Sequence, residues 1–156
     1  VVPPAVVGGP LSLSPRHRLT LTGPFTIPVD ERIGTLSVGA TFVYTAKQYA
    51  SRADDAVWNN YLHPPAGTTP ADWIVFSGVM PPRNPGQMPS TKLLNFSANW
   101  DSIFGSPIDA AFFMTNATNE KFPVNVVNGF NSFGLESQVV NEPRMYGFRL
   151  KWRFGG

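Results

Sequence analysis

Asn141-Glu142-Pro143-Arg144-Met145-Tyr146-Gly147-Phe148-Arg149-Leu150-Lys151-Trp152-Arg153-Phe154-Gly155-Gly156 is the stretch whose reading decides the fold. From Tyr146 onward its side chains alternate. Tyr146, Phe148, Leu150, Trp152 and Phe154 fall on one face, and Gly147, Arg149, Lys151 and Arg153 on the other. A period of two is the mark of a β-strand. One face is large and apolar while the other carries three cations. A soluble sandwich and a membrane strand both produce that contrast, so the other strands must decide.

Working outward, the same alternation recurs four more times. His17 to Ile27 sets Leu19, Leu21, Phe25 and Ile27 against Arg18, Thr20, Thr22 and Thr26, with Pro24 expected at an end or a bulge because it has no N–H to donate. Ile33 to Lys47 sets Leu36, Val38, Ala40, Phe42 and Tyr44 against Thr35, Ser37, Gly39, Thr41, Val43 and Thr45. Lys92 to Asp101 places Leu94, Phe96, Ala98 and Trp100 opposite Leu93, Asn95, Ser97, Asn99 and Asp101. Ile108 to Thr115 opposes Ile108, Ala110, Phe112 and Met114 to Asp109, Ala111 and Thr115, with Phe113 out of place on the polar face.

The connections alternate as well. Pro28 to Arg32 and Ser102 to Pro107 are short turns, whereas 48–90 and 116–142 are long, rich in Pro and Asn respectively, with only Trp73 to Val79 suggesting a further strand. A structureless span of some forty residues counts against a compact soluble domain. Short turns at one end and long loops at the other are the pattern of outer-membrane β-barrels, whose strands carry an apolar band outward and a polar face toward the lumen. Tyr44, Trp100, Tyr146 and Trp152 then stand where aromatic girdles belong, and 48–90 and 116–142 are expected as extracellular loops.

Composition bounds the alternatives. The 156 residues are 42% hydrophobic and only 14% charged, against about 25% charged in ordinary soluble domains. No apolar run reaches the roughly 18 residues of a membrane helix. A net charge of +2 with scattered basic residues gives no support to nucleic-acid binding, and with no cysteine there is neither a disulfide framework nor thiolate chemistry. His17 and His63 have no companions at ligand spacing, and no catalytic triad, paired carboxylates or phosphate loop is present, so neither a metal, a cofactor nor an enzyme is expected. The opening Val1-Val2-Pro3-Pro4 lacks an initiator Met and a signal segment, and the chain is expected to be a mature or truncated piece.

The ending from Asn141 to Phe154 strongly resembles the last strand of TonB-dependent outer-membrane receptors, which commonly close on Pro-Arg, an aromatic, Gly, and then cations alternating with aromatics. Gly105-Ser106-Pro107-Ile108-Asp109 and Phe113-Met114-Thr115-Asn116-Ala117-Thr118-Asn119-Glu120-Lys121-Phe122 resemble the hairpin before it. Ser14-Pro15-Arg16-His17-Arg18-Leu19 and the strand through Tyr44 and Tyr49 are similar to earlier strands of the same family.

That resemblance implies an all-β, antiparallel transmembrane β-barrel in the outer membrane of a Gram-negative cell, of which residues 1–156 are the C-terminal portion of about five strands. It implies a 22-stranded whole with an N-terminal plug, which couples through a TonB box to inner-membrane energy and imports a scarce siderophore, vitamin or carbohydrate. The implied partners are outer-membrane lipid, the barrel-assembly machinery, the rest of the barrel with its plug, and the TonB complex. The assembly signal of such proteins maps to Gly147, Leu150 and Trp152, extended by Phe154; Met145 stands at its polar position and Gly155-Gly156 follow its terminal aromatic. Candidate ligand contacts in the first long loop are Asp54, Asp55, Trp58, Tyr61 and Trp73, carboxylates for a cationic or chelated ligand and aromatic faces for a sugar or planar chelate. Arg149, Lys151 and Arg153 are expected to pair with lumen carboxylates such as Asp101 and Asp109, or with a plug, rather than to select anions directly. The alternatives are a soluble carbohydrate-binding β-sandwich module and a passive porin-like channel.

Overall fold

A computed structural model describes residues 11–50, 58–69, 84, 86–129 and 135–154. The chain is all-β and antiparallel. In order, the strands are β1 (Arg18–Ile27), β2 (Thr35–Thr45), β3 (Gln48–Tyr49), β4 (Gln87–Met88), β5 (Thr91–Asp101), β6 (Ile108–Thr115), β7 (Pro123–Gly129), β8 (Leu135–Val140) and β9 (Met145–Trp152). They form a five-stranded sheet, β1-β2-β5-β6-β9, and two small sheets, β3-β4 and β7-β8. The large sheet is open, with β1 and β9 as its edges.

The chain divides into two compact units. One is the five-stranded sheet with its short turns (18–45, 91–121 and 142–156), and the other comprises residues 1–17 and the two long connections, 46–90 and 122–141. In the sheet unit the five strands expected from alternation lie within two residues of their expected bounds. Pro24 is a correction: it pairs with Gly39 in mid-strand rather than ending β1, which an edge strand of this sheet tolerates. Both short turns are shaped by local polar chemistry. In the β1–β2 turn the Asp30 carboxylate accepts the Arg32 N–H at 2.9 Å, an Asx turn. Gly34 there has φ +100, and an added Cβ would lie 2.4 Å from the carbonyl oxygen of Asp101 and 2.5 Å from that of Ser102. Only glycine fits.

Register carries the alternation across the whole sheet. Trp152 pairs with Ile108, Leu150 with Ala110 and Phe148 with Phe112; Ala110 in turn pairs with Trp100 and Phe112 with Ala98. Trp100 continues to Leu36 and Ala98 to Val38, and these to Ile27 and Phe25. Directly paired residues share a face, so one face of all five strands is apolar, with Lys92, opposite Tyr44, as its one charged strand residue. The other face presents Thr, Ser, Asn, Asp, Arg and Lys, interrupted by Pro24, Val43, Leu93, Phe113 and Met145 among the larger apolar residues.

Neither face is covered within this unit. Phe25 is 60% exposed, Phe148 65% and Trp152 60%. Among the described residues the buried hydrophobic side chains are Ala46, Met88 and Val126, all in the unit of the connections. That unit was read from sequence as loop. It holds instead β3-β4, a helical turn at 58–62, and the β7-β8 hairpin, which has a bulge at Pro123/Asn125. The β7-β8 strands are not legible in the sequence because Val126-Val127 and Val139-Val140 stand side by side and break the alternation. The proposed strand at Trp73 to Val79 lies outside the described residues.

Candidate functional site

The sheet's apolar face is organised by depth. At the end of the short turns lie Trp100, Phe104, Trp152 and Phe154, and at the opposite end Tyr44 and Tyr146. The Trp100 and Phe104 rings meet edge to face at 5.4 Å, and those of Trp152 and Phe154 are parallel with centroids 5.5 Å apart. The Trp100 indole N–H donates to the Ile33 carbonyl at 2.8 Å, so its polar tip closes the turn region while its body stays on the apolar face. Between the two aromatic ends the face is aliphatic and aromatic. Strands of 10, 11 and 11 residues in β1, β2 and β5 match the roughly 9 to 11 tilted residues that cross hydrocarbon, and β6 and β9, of eight residues each, fall just short of it.

The residues matched to an assembly signal separate into two groups. Leu150, Trp152 and Phe154 are 64%, 60% and 84% exposed, on or just beyond the edge strand β9. That strand offers an unpaired backbone edge and a row of apolar side chains to a partner strand. Gly147 is on the other face and is not available in the same way. Its Cα lies under the ring of its register partner Phe113, and a Cβ there would sit 2.4 Å from Cζ of that ring. This explains both anomalies of the sequence at once. Phe113 occupies the polar face because glycine opposite it leaves room, and its ring shields the strand where Gly147 has no side chain of its own.

Two polar clasps hold the ends of the sheet. At the end of β6, Asn116 is 4% exposed and has left-handed φ 48, a conformation Asn tolerates. Its Nδ2 donates to the carbonyls of Glu120 at 2.9 Å and Glu142 at 3.1 Å, and its Oδ1 accepts the Glu120 N–H at 2.9 Å. The Asn95 carboxamide takes the Asn116 N–H at 2.9 Å, and the Glu120 carboxylate takes that of Lys92 at 2.8 Å. Asn119 Oδ1 receives the Arg144 N–H at 3.1 Å. The segment 116–120 thereby ties β5, β6 and the entry to β9. The sequence reading met it only as a family likeness, since nothing local shows that an Asn will be buried. At the other end Arg153 reaches Asp109 at 2.8 Å and the Ser102 hydroxyl at 2.7 Å, while Asp109 also accepts the Ser102 N–H at 2.9 Å. Of the three cations expected to pair, Arg153, just past the end of β9, pairs with Asp109.

Of the candidate ligand contacts, Trp58 and Tyr61 come together with ring centroids 6.1 Å apart and planes 23° from parallel, both half-buried on the turn at 58–62. Asp54, Asp55 and Trp73 lie outside the described residues. His17 and His63 are exposed, and among the described residues no group of three metal-ligating side chains occurs. On the polar face of the sheet a recess of about 440 Å³ is lined by Asn99, Asp101, Asp109, Ala111, Arg149 and Lys151, with the backbone of Ala110 and Leu150 beside them.

Comparison of the chain with protein-family models, with curated proteins and with solved structures finds no match.

Proposed function

We propose that the chain is the C-terminal part of an outer-membrane β-barrel of the TonB-dependent receptor kind, whose whole imports a scarce ligand such as a siderophore, vitamin or carbohydrate with inner-membrane energy. The observation that carries this reading is the uncovered apolar face shared by all five strands. Soluble monomers rarely expose a contiguous apolar patch beyond a few hundred Å². A face five strands wide and eight residues tall measures about 24 by 27 Å at ordinary strand spacings. Lipid satisfies such a face without a second layer of protein. The opposite face is polar as a wet lumen demands. Open ladders at β1 and β9 are untenable in hydrocarbon, so further strands must complete the barrel. The receptor assignment, as against a passive channel, rests on the resemblance of the 105–122 and 141–154 stretches.

The test is made on the full reading frame that contains this chain, expressed in a Gram-negative host. The expected protein sediments with outer membrane, requires detergent, and shows heat-modifiable electrophoretic mobility. Its tryptophan emission is quenched by brominated lipid. Uptake of its ligand, sought among ferric chelates, cobalamins and oligosaccharides, stops when the energy-coupling complex is inactivated. A protein soluble without detergent and unquenched by brominated lipid would leave the β-sandwich reading instead, and uptake indifferent to coupling would leave the passive channel.

A further inference from the structure

We infer that the outer edge of β1 takes an antiparallel strand of the same protein and holds it less firmly than it holds β2, because the ladder between them is interrupted at Pro24. The sheet then opens first at this seam. The inference rests on the barrel reading above, which requires a neighbour at this edge.

The hydrogen-bond parity of β1 carries it. The Ala46 N–H donates to the His17 carbonyl at 2.9 Å, and these two residues continue the register in which Arg18 faces Thr45. In an antiparallel pair, residues that exchange backbone bonds alternate with residues whose N–H and C=O point away from the partner. The register runs unbroken from Arg18 to Ile27, so the odd-numbered residues of β1 bond to β2. Arg18, Thr20, Thr22, Pro24 and Thr26 turn their backbone groups to the open edge. Pro24 has no N–H to turn there. It still offers its carbonyl, but the carbonyl that the neighbour brings opposite it meets no donor. The gap falls in mid-strand, where hydrocarbon supplies no water to fill it. Gly23, beside it, has no side chain to pack across the seam.

The β1–β2 ladder does not share this defect, because Pro24 faces Gly39 at a position that exchanges no backbone bond. The opposite edge of the sheet is also intact by the same measure. The Arg153 N–H donates to the Pro107 carbonyl at 2.9 Å, in continuation of the β6–β9 register. The outward backbone groups of β9 therefore belong to Tyr146, Phe148, Leu150 and Trp152, each of which has an N–H to give.

The experiment is native-state amide hydrogen exchange of the full-length protein in lipid nanodiscs, read residue by residue by mass spectrometry with electron-transfer fragmentation. Alternate residues of one strand, at one depth, report the two seams separately: Leu21 and Phe25 the inner, Thr22 and Thr26 the outer. The Thr22 and Thr26 amides are expected to exchange at least about tenfold faster than those of Leu21 and Phe25. Pro24→Ala supplies the missing N–H and should slow Thr22 and Thr26 by about three- to tenfold, leaving Leu21 and Phe25 unchanged. Heat-modifiable mobility is scored on both proteins, and the wild-type comparison does not depend on the variant folding. Equal exchange of the two sets in wild type overturns the proposal while the barrel reading stands, since the neighbour then fills the gap. So does a folded Pro24→Ala protein in which Thr22 and Thr26 exchange as fast as before. Outward amides without protection in either protein would leave β1 with no neighbour, and would overturn the barrel reading as well.

Discussion

The five-stranded sheet and the long connections solve the problem of apolar surface in opposite ways. The connections have a small interior of their own: Met88 is 2% and Val126 4% exposed, while Val127, Leu135, Val139 and Val140 stay outside it, and the Glu136 carboxylate takes the Gly86 N–H at 2.7 Å to hold the β7-β8 hairpin beside β4. The sheet buries almost nothing on its own. Its edge strand β9 is exposed along its length except at Gly147. A region held by its own interior is indifferent to its surroundings, whereas one with an uncovered apolar face depends on the medium or partner that meets it. Each substitution below tests one side of that contrast.

The largest effect is expected from Leu150→Arg, which places a charge in mid-face. In lipid vesicles the full-length protein should lose about 2–4 kcal/mol of stability, read by urea unfolding. Ser97→Arg, on the polar face, should cost under about 1 kcal/mol by the same measurement. Equal losses would erase the distinction between the faces. Next is Asn116→Ala, which strands two carbonyls and an N–H in a buried position. A loss of about 2–3 kcal/mol follows from unsatisfied buried groups, with accelerated hydrogen exchange at Glu120 and at the start of β9. On the other side of the contrast, Met88→Ala should destabilise the connections by about 2 kcal/mol through the cavity it leaves. Limited proteolysis within 46–90 should quicken while heat-modifiable mobility is unchanged; a shift in both would mean that the two regions unfold as one.

Gly147→Ala should cost about 1–3 kcal/mol by overpacking against Phe113, and Phe113→Ala in the same chain should recover most of it. Gly23→Ala serves as the control, because nothing lies within 4 Å of a Cβ there. Without rescue by Phe113→Ala, the glycine would be serving recognition by the assembly machinery rather than packing. Smallest is Arg153→Gln. Its side chain is 49% exposed, so the ion pair with Asp109 contributes at most about 1 kcal/mol, and less at high salt.

Much of this molecule was determined by sequence alone. Alternation is a local property: each residue's face is set by its parity along the strand, so Leu19 to Ile27, Leu36 to Tyr44, Leu94 to Trp100, Ile108 to Met114 and Tyr146 to Trp152 were assignable before any pairing was known. The positions of the short turns followed from their Pro, Asp and Gly residues in the same way. What the tertiary structure decided is whatever depends on register between strands distant in the chain. That Phe113 lies over Gly147 and that Asn116 is buried and bridges Glu120 to Glu142 are consequences of pairing, and that Arg153 takes Asp109, whose register partner is Lys151, is decided by side-chain placement in the folded sheet. So is the β7-β8 hairpin, in whose strands the apolar residues do not keep a period of two. Periodicity tells which way a side chain points, and only the fold tells what it meets there.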